Sequence, residues 1–284
     1  MKKIVILVLG LLIISCSNDE SPKETELVSI TTNYYADNEI WDSSKYNYLN
    51  QKLQDVQNLD QSHTDYKYNN NLIATASNYE PDGVLFSTNN YTFDSNDRLV
   101  EFDIVYNTGD VTKYIITYKE NSILLTYNNY NGNSLVYEFD LNSDKQIISK
   151  KTVSVNGAAP KANSLKYQYI YSNGNLISAT SFNPETNITT TLVTYTYSNA
   201  ENGKDSDKHM YGKAWKMNSF LMTVIYQGNY SPVVSENLVS SYKDGGRNIT
   251  IDYEFSNGKI SKMTSQYMTS WNVAMKVESI YEYK

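Results

Sequence analysis

Short segments in which apolar or aromatic residues alternate with polar ones recur along the chain, and each is followed by a polar turn. In 165–171 the odd positions are Leu or Tyr, and Ser172-Asn173-Gly174-Asn175 follows before Leu176 begins a new apolar run. Alternation with a period of two is typical of a half-buried β-strand, and Asn-Gly between two such segments favours a tight hairpin. The same order recurs at 249–260 around Asn257-Gly258. The pattern predicts successive β-hairpins.

These segments share one template, which is Tyr-x-aromatic, a polar turn and then an aliphatic residue. Its second aromatic residue recurs at intervals of 21 to 32 residues, at Tyr68, Phe93, Tyr118, Phe139, Tyr171 and Tyr197. A repeat of this length indicates stacked units that share one core, because one hairpin is not stable alone. We therefore predict an all-β fold: a long, strongly curled antiparallel β-meander of repeated hairpins that forms an open barrel-like sheet.

Residues 46–59 admit two interpretations. Leu49, Leu53 and Val56 have helical spacing, but Tyr46-Asn47-Tyr48 followed by a polar turn and Leu53 also fits the template. We favour the hairpin, because the neighbouring repeats continue its register.

The repeat is interrupted near 204–235. Residues 202–208 are polar, whereas 211–226 form the most apolar stretch after the N-terminal run, and Trp215, Phe220 and Met222 do not keep a period of two. We predict a short helical or irregular insertion here. It would either cover an open end or face of the sheet or act as a lid over a ligand site.

The N-terminus has the pattern of an export signal. Lys2 and Lys3 precede the apolar run Ile4 to Ile14, whose 11 residues are too few for a spanning helix, which needs about 20. The run ends in Ile13-Ile14-Ser15-Cys16, which resembles a lipobox. We predict a signal peptide over 1–15 and a lipid on Cys16 that binds the membrane. The alternative is an ordinary secretory signal with an incidental cysteine.

A polar stretch follows the cysteine and predicts a flexible tether over 16–26, before a single all-β repeat domain over 27–284. Asp19 and Glu20 are similar to the acidic export signal of Bacteroidetes surface lipoproteins. That similarity implies an outer-membrane protein on the cell surface; the alternatives are an acidic linker without a signal function and the periplasmic face. Cys16 is the only cysteine, so a disulfide within the chain is excluded.

Charge and composition limit the classes of molecule that the protein could bind. Without Lys2 and Lys3 the chain has 22 basic and 31 acidic side chains, which disfavours nucleic acid and anionic lipid as partners. Tyrosine is unusually frequent, with 27 of 284 residues. Such rings form cross-strand ladders that hold a sheet together, or they stack on sugars and anchor partners.

The units Tyr169-Ile170-Tyr171-Ser172-Asn173-Gly174-Asn175-Leu176 and Tyr253-Glu254-Phe255-Ser256-Asn257-Gly258-Lys259-Ile260 resemble the YD repeat of Rhs-type wall-associated proteins. With the lipobox and Gly228-Asn229-Tyr230-Ser231-Pro232, the chain is similar to Bacteroidetes lipoproteins of unknown function. The resemblance implies a porin-like, curled antiparallel sheet and implies no activity. The turns vary in length and the repeats are too few for a closed Rhs shell.

A lipid-facing barrel needs strands of about 9–11 residues and an apolar outer band. The strands predicted here run about 5–8 residues, and their outward positions are Lys, Gln, Thr and Glu. We therefore expect the sheet not to lie in the bilayer.

The sequence offers few metal ligands. We expect His63 and His209 to lie in exposed loops, and no cysteine is left to join them. Residues 94–97 and 140–144 space their oxygen ligands faintly like a calcium loop but lack the glycine and glutamate of an EF-hand. Asx-turns explain both segments, so no cofactor or metal is predicted.

Catalytic motifs are also missing: no nucleophile elbow, phosphate loop or dinucleotide fingerprint is present. Glu138 with Asp140, or Asp252 with Glu254, would lie on one strand face as glycosidase pairs do, but any i, i+2 pair has that geometry. We predict a non-catalytic protein that binds an extracellular glycan or an envelope protein. The alternatives are a glycoside hydrolase and a purely structural envelope component. The candidate ligand-binding residues are Trp41, Trp215 and Trp271.

Overall fold

A computed structural model of the chain describes residues 26–201, 215–227, 235–244, 246–269 and 273–284. Strands dominate it, and one helix lies between the fourteenth and fifteenth strands. The strands are β1 (Leu27–Ala36), β2 (Glu39–Leu49), β3 (Lys52–Asn58), β4 (His63–Asn69), β5 (Leu72–Tyr79), β6 (Leu85–Phe93), β7 (Leu99–Tyr106), β8 (Val111–Tyr118), β9 (Ser122–Asn128), β10 (Ser134–Leu141), β11 (Ile147–Val155), β12 (Lys166–Ser172), β13 (Asn175–Asn183), β14 (Ile188–Glu201), β15 (Asn237–Asp244), β16 (Arg247–Ser256), β17 (Lys259–Met268) and β18 (Ala274–Tyr283). The helix, α1, spans Trp215–Gln227.

The strands form one closed antiparallel barrel. Each strand pairs with the next along the chain, and β1 also pairs with β18, from Leu27 opposite Tyr283 to Ala36 opposite Met275. This confirms the predicted all-β meander. The sheet was predicted to be open and barrel-like, whereas the β1–β18 pairing closes it. A barrel with this number of strands is wide enough to enclose an open interior.

Nine of the 18 described strands contain 7 or 8 residues, as expected, and the other nine contain 9 to 14. For the longer nine the expectation of 5–8 residues was wrong because it counted only the alternating part of each strand. In β14, for example, Thr189, Thr190 and Thr191 break the alternation but still pair with β13. Backbone pairing does not need an apolar side chain at every second position.

The hairpin interpretation of 46–59 is confirmed by β2 and β3. Asn50 and Gln51 connect them with φ of 51° and 63°, and Asn173 and Gly174 connect β12 and β13 with φ of 49° and 75°. Two successive residues of positive φ form the tight turn that the right-handed twist of paired strands favours.

The barrel has two different ends. Every second connection, from β2–β3 and β4–β5 to β16–β17, lies at one end of the barrel. Glu26 and Lys284 also lie at this end, and their backbones pair with each other. The β14–β15 connection contains α1, so we call this the plugged end. The other nine connections, from β1–β2 to β17–β18, form the end that we call the open rim.

Helix α1 identifies the inner face of the sheet. Asn218 is fully buried; its Oδ1 accepts the Leu99 N–H of β7 at 2.9 Å, and its Nδ2 donates to the Asp97 carbonyl at 2.7 Å. Phe220 packs edge-on against Tyr169 of β12, with ring centroids 5.4 Å apart. One helix can contact strands so far apart only from the concave side of the sheet. The predicted helical insertion near 204–235 is therefore present, and it packs on the inner face.

Seven of the β-turns of the plugged end are followed by an aliphatic residue that is buried or half-buried, as the template expected. These residues are Leu53, Ile73, Leu99, Ile123, Ile147, Leu176 and Ile260. In most of these hairpins the pairing register shifts directly after that residue. In β6 and β7, for example, Phe93 pairs with Leu99, but the preceding residue Thr92 pairs with Glu101. Such a β-bulge reverses which side chains of the strand face inward.

A tyrosine hydroxyl joins successive hairpins at this end. Tyr118 donates to the Leu99 carbonyl at 3.0 Å, and Tyr68 donates to the Leu53 carbonyl at 2.8 Å. The same contact recurs from Tyr197 to Leu176, from Tyr253 to Val239 and from Tyr283 to Ile260. The aromatic position of the template thus serves packing and also fixes the next hairpin by a hydrogen bond.

Candidate functional site

Four aromatic rings form a continuous row on the inner face of β6 to β9. Tyr91, Phe102, Tyr114 and Tyr127 occupy directly opposed register positions. Consecutive ring centroids lie 5.0, 5.4 and 5.0 Å apart. Phe102 is fully buried, whereas the three tyrosines each keep part of their surface exposed. We call these four residues the aromatic row.

The aromatic row crosses the barrel obliquely because the strands are tilted. Tyr91 lies near the plugged end of β6, and Tyr127 is next to the last residue of β9 at the open rim. At the rim three further rings continue the aromatic surface: Phe86 and Tyr106 lie 5.7 Å apart, and Tyr106 and Tyr130 lie 6.0 Å apart. The aromatic surface therefore reaches from the interior to the mouth of the barrel.

Tyr114 of the aromatic row is a hydrogen-bond donor at neutral pH. Burial, and then the neighbouring Tyr127, Tyr106 and Tyr137 hydroxyls, raise the pKa of Tyr114 to about 12. Burial is also the main cause that raises the pKa of Tyr137, followed by the nearby Tyr167 and Tyr127. A protonated phenol can both donate and accept a hydrogen bond.

A buried lysine lies beyond the aromatic row on the next strands. Lys150 of β11 is 7% exposed and stands opposite Phe139 of β10 and Tyr167 of β12. Its Nζ lies 4.6 Å from the centre of the Tyr137 ring and 5.4 Å from that of Tyr167. Burial lowers the pKa of Lys150 to about 8. The ring faces partly offset the loss of water around the ammonium group.

Polar side chains also line the inner face, both beside the aromatic row and farther round the barrel. On β18 and β1 the Thr32 and Ser279 hydroxyls lie 2.9 Å apart. On β4, β5 and β6, next to the row, Thr64 donates to Asn78 at 2.9 Å, and the Asn78 amide donates to Ser87 at 3.0 Å. An inner face that carries both aromatic rings and hydroxyl and amide groups can bind a ligand that has both apolar faces and many hydroxyl groups.

The structure places only one of the predicted ligand-binding tryptophans fully. Trp41 is 55% exposed at the open rim, and its ring lies 5.8 Å from that of Tyr34. Trp215 is the first residue of α1, but its side chain lies outside the described part. Trp271, Cys16 and His209 also lie outside the described residues.

His63 differs from the expectation of an exposed loop. It begins β4 and its ring stacks on Tyr79 at 4.5 Å and 7°. The connection before it is short, so strand pairing with β5 includes the histidine. Within the described ranges, no group of histidine and acidic side chains could hold a metal ion.

The two calcium-like segments are Asx-turns. Asp94 Oδ1 accepts the N–H groups of Asn96 and Arg98, and Asn142 Oδ1 accepts those of Asp144 and Gln146. These carboxylate and amide oxygens therefore bind the backbone of their own turns.

The predicted carboxylate pairs lie on the outer wall. Glu138 and Asp140 flank Lys151, whose Nζ lies 2.9 Å from Glu138 and 4.0 Å from Asp140. Glu254 faces Lys262 across the β16–β17 pair. These carboxylates therefore face solvent on a convex surface.

Among the described carboxyl groups with resolved shifts, the one with a raised pKa is Asp103. Burial is the first cause, while Lys113 opposes it and Glu101 adds to it. Asp103 and Glu101 both lie on the outer wall beside Lys113. A convex wall offers no groove in which a sugar ring could sit between two carboxyl groups.

The sequence pattern did not predict Lys150 or the aromatic row as parts of a site. By simple alternation from Ile147, residues 149 and 151 would face inward and Lys150 outward. A register shift between the Leu141–Ile147 and Asp140–Ser149 pairs reverses this order. Little in the sequence indicates that Lys150 faces inward, because a β-bulge does not appear in the period-two pattern of apolar residues.

No protein-family model matches the chain, and no curated protein sequence matches it significantly. Within the described residues, no helix is long and apolar enough to cross a membrane. The crystal structure of a porin-like protein from Bacteroides uniformis is similar, with a TM-score of 0.50 and 13% identity over 91% of this chain and 96% of that one. A porin-like protein from Bacteroides vulgatus gives a TM-score of 0.36 and 11% identity over 92% and 99%. At these identities the likeness to the Bacteroides uniformis protein shows a shared fold: this chain is an antiparallel closed barrel of 18 strands similar to porin-like structures.

Proposed function

We propose that the protein is a lipid-anchored, non-catalytic component of the outer membrane that binds glycan chains on the inner face of its barrel. The observation that carries the proposal is the aromatic row, which leads from Tyr91 to Tyr127 and reaches the open rim. Aromatic side chains stack on the apolar faces of sugar rings, and the polar side chains of the inner face supply partners for the hydroxyl groups of the sugar.

The outer wall supports anchoring by lipid instead of insertion of the barrel. Ion pairs lie on it at several places, such as Lys113 with Glu101 at 2.8 Å and Lys262 with Glu278 at 2.9 Å. A barrel wall in a bilayer presents an apolar band, because each charge at the bilayer centre costs several kcal/mol. Acyl chains on Cys16 would hold such a charged barrel at the membrane without burying its wall.

Glycan binding is tested with the mature chain in which Cys16→Ser prevents lipidation. We would screen it on an array of extracellular polysaccharides and measure hits by calorimetry. Tyr114→Ala and Tyr127→Ala should each weaken binding about tenfold, which is the usual effect of removing a stacking ring. Tyr35→Ala is the matched control, because this tyrosine lies on the outer wall beside Lys276.

Circular dichroism and a thermal melt show whether each variant remains folded. A chain that binds none of the polysaccharides, or one whose binding is reduced equally by Tyr35→Ala, would contradict glycan binding in the barrel. The first result would favour the purely structural role.

The anchor is tested separately in cells. Mass spectrometry of the mature protein should find an acylated cysteine at position 16, and protease added to intact cells should digest the protein. An unmodified Cys16 would refute the anchor, and a protein that resists protease on intact cells would refute surface display.

A further inference from the structure

Exposed apolar side chains are concentrated at the open rim. Of the 18 large ones in the described part of the chain, twelve lie in the connections of the open rim or within three residues of them. They are Ile40, Trp41, Leu59, Val84, Leu85, Phe86, Val111, Tyr130, Val155, Leu165, Ile188 and Met268. All rim connections except β15–β16 contribute. A concentration of this kind marks an interaction surface, whereas scattered exposed apolar residues carry no such meaning.

Part of this surface is continuous across three hairpins. Phe86 follows the β5–β6 connection, Tyr106 ends β7, and Tyr130 lies in the β9–β10 connection. Their rings contact in sequence, as described above, and Phe86 and Tyr130 remain 44% and 55% exposed. The contacts between the rings hold these side chains in place before any partner binds, which lowers the entropy lost on binding.

The open rim is also acidic. Its nine connections and their flanking strand residues carry eight acidic and three basic side chains. The acidic ones are Asp37, Glu39, Asp60, Glu80, Asp82, Asp110, Glu185 and Asp244, and the basic ones are Lys161, Lys166 and Arg247. Arg247 is already paired with Asp244 at 2.8 Å.

The plugged end is balanced in charge. Apart from the β14–β15 connection, it carries five acidic side chains (Glu26, Asp94, Asp97, Glu120 and Asp144) and six basic ones (Lys52, Arg98, Lys119, Lys145, Lys259 and Lys284). The sequence between β14 and β15, with its flanking residues, adds four of each sign. The acidic character therefore belongs to the open rim and is not a general property of the barrel ends.

We propose that the open rim is the docking surface for a protein segment in which lysine or arginine side chains alternate with aliphatic ones. The apolar ring supplies buried area, and the surrounding carboxylates favour a basic partner and speed its encounter. A second copy of this chain would bring two acidic rims together, and an anionic lipid surface would also be repelled. Among the partners that an apolar surface could bind, the acidic charge of the rim therefore favours a basic protein segment.

The chain entry point agrees with this assignment. Glu26, the first described residue, lies at the plugged end, opposite the rim. If Cys16 carries the anchor proposed above, the attachment between the tether and the barrel is at the plugged end, and the tether does not have to cross the rim. Only this step rests on the proposed function.

The test uses the mature Cys16→Ser chain and three synthetic peptides of equal length, which alternate leucine with lysine, leucine with glutamate, and serine with lysine. Fluorescence anisotropy should show binding of the leucine–lysine peptide alone, weakening as salt is added. The rim variant Glu80→Gln/Asp82→Asn/Asp110→Asn should weaken it about tenfold. Phe86→Ser/Tyr130→Ser should weaken it to a similar extent.

The matched control is Glu120→Gln/Asp144→Asn, which neutralises exposed carboxylates at the plugged end and should leave binding unchanged. A thermal melt of each variant excludes misfolding, and the conservative Phe86→Leu/Tyr130→Leu should restore part of the affinity.

The proposal would be overturned if the leucine–lysine peptide did not bind, or if the leucine–glutamate or serine–lysine peptide bound equally well. An equal loss of binding in the control variant would also overturn it. Dimerisation in sedimentation, or binding to anionic vesicles that the rim variant abolishes, would also overturn it. Glycan binding by the interior is measured independently, so failure of one proposal does not imply failure of the other.

Discussion

Lys150 is a buried lysine of the barrel, and its replacement by methionine tests how much the burial of its charge costs in stability. Methionine has nearly the length of lysine and no charge, so Lys150→Met removes the buried ammonium group and keeps most of the packing. The neighbouring Lys151 provides the matched control, because it points to the outer wall and pairs with Glu138 at 2.9 Å.

The expected magnitude follows from the pKa shift. A shift of the lysine pKa from about 10.4 in the unfolded chain to about 8 in the barrel corresponds to a cost of about 3 kcal/mol at neutral pH. This cost is a net value, since a pKa in the folded state already includes the contacts of the ammonium with the Tyr137 and Tyr167 rings. Lys150→Met should therefore raise the free energy of unfolding by about 1–3 kcal/mol and raise the melting temperature accordingly.

The pH dependence distinguishes this cause from better packing. Below pH 8 both folded and unfolded states hold the lysine proton, so the full cost of burial is present. Between about pH 8 and pH 10 the folded state releases that proton first, because its pKa is lowered, and the wild-type protein becomes more stable. The advantage of Lys150→Met should therefore shrink as the pH rises from about 7 to about 9.5. The tyrosines with raised pKa values stay protonated over this range.

Urea unfolding of both variants at several pH values measures this difference. Lys151→Met should lower stability slightly, by no more than about 1 kcal/mol, because an exposed ion pair contributes little. Destabilisation by Lys150→Met at neutral pH, or a gain that does not change with pH, would refute the buried-charge reasoning. A charge kept at such a cost suggests a use in binding, so we also expect Lys150→Met to weaken any anionic glycan that the interior binds.

The remaining predictions concern single hydrogen bonds of the plugged end. Tyr118→Phe should lower the free energy of unfolding by about 1 kcal/mol because the Leu99 carbonyl loses its donor, whereas Tyr171→Phe should be neutral or stabilising because the Tyr171 hydroxyl is buried without a partner. Chemical denaturation of both variants checks this contrast, and equal losses would contradict it. Asn218→Ala should cost about 2–4 kcal/mol, because it removes the hydrogen bonds to the Leu99 N–H and the Asp97 carbonyl where α1 meets the barrel. Hydrogen exchange that stays slow at Leu99 in this variant would show that α1 is held by other contacts.

Local patterns predicted the elements well where their cause is local. Asn173-Gly174 predicted a tight hairpin because Asn and Gly adopt positive φ at little cost, and the structure has that turn. The irregular apolar stretch around Phe220 predicted an interruption of the repeat, and α1 is found there. Strand lengths were underestimated because polar strand residues such as Thr190 pair through the backbone without contributing to the alternation.

Most of the candidate site could not be predicted in the same way. Tyr91 and Tyr127 are 36 positions apart in the chain, and only the register of four strands brings them into one aromatic row. Lys150 faces inward because one bulge after Ile147 changes the parity of β11. Which side chains of a strand face inward, and which residues pair across strands, depends on the neighbouring strands. A short stretch of sequence therefore does not determine either of them.

The sequence alone determined that this chain forms repeated hairpins and where their turns lie, because alternation and turn residues act over a few positions. Only the tertiary structure decided that β1 meets β18, that α1 fills one end and that apolar and acidic residues of separate hairpins share the other end. These features arise from closure of the sheet, which brings distant segments together once every strand has its partner.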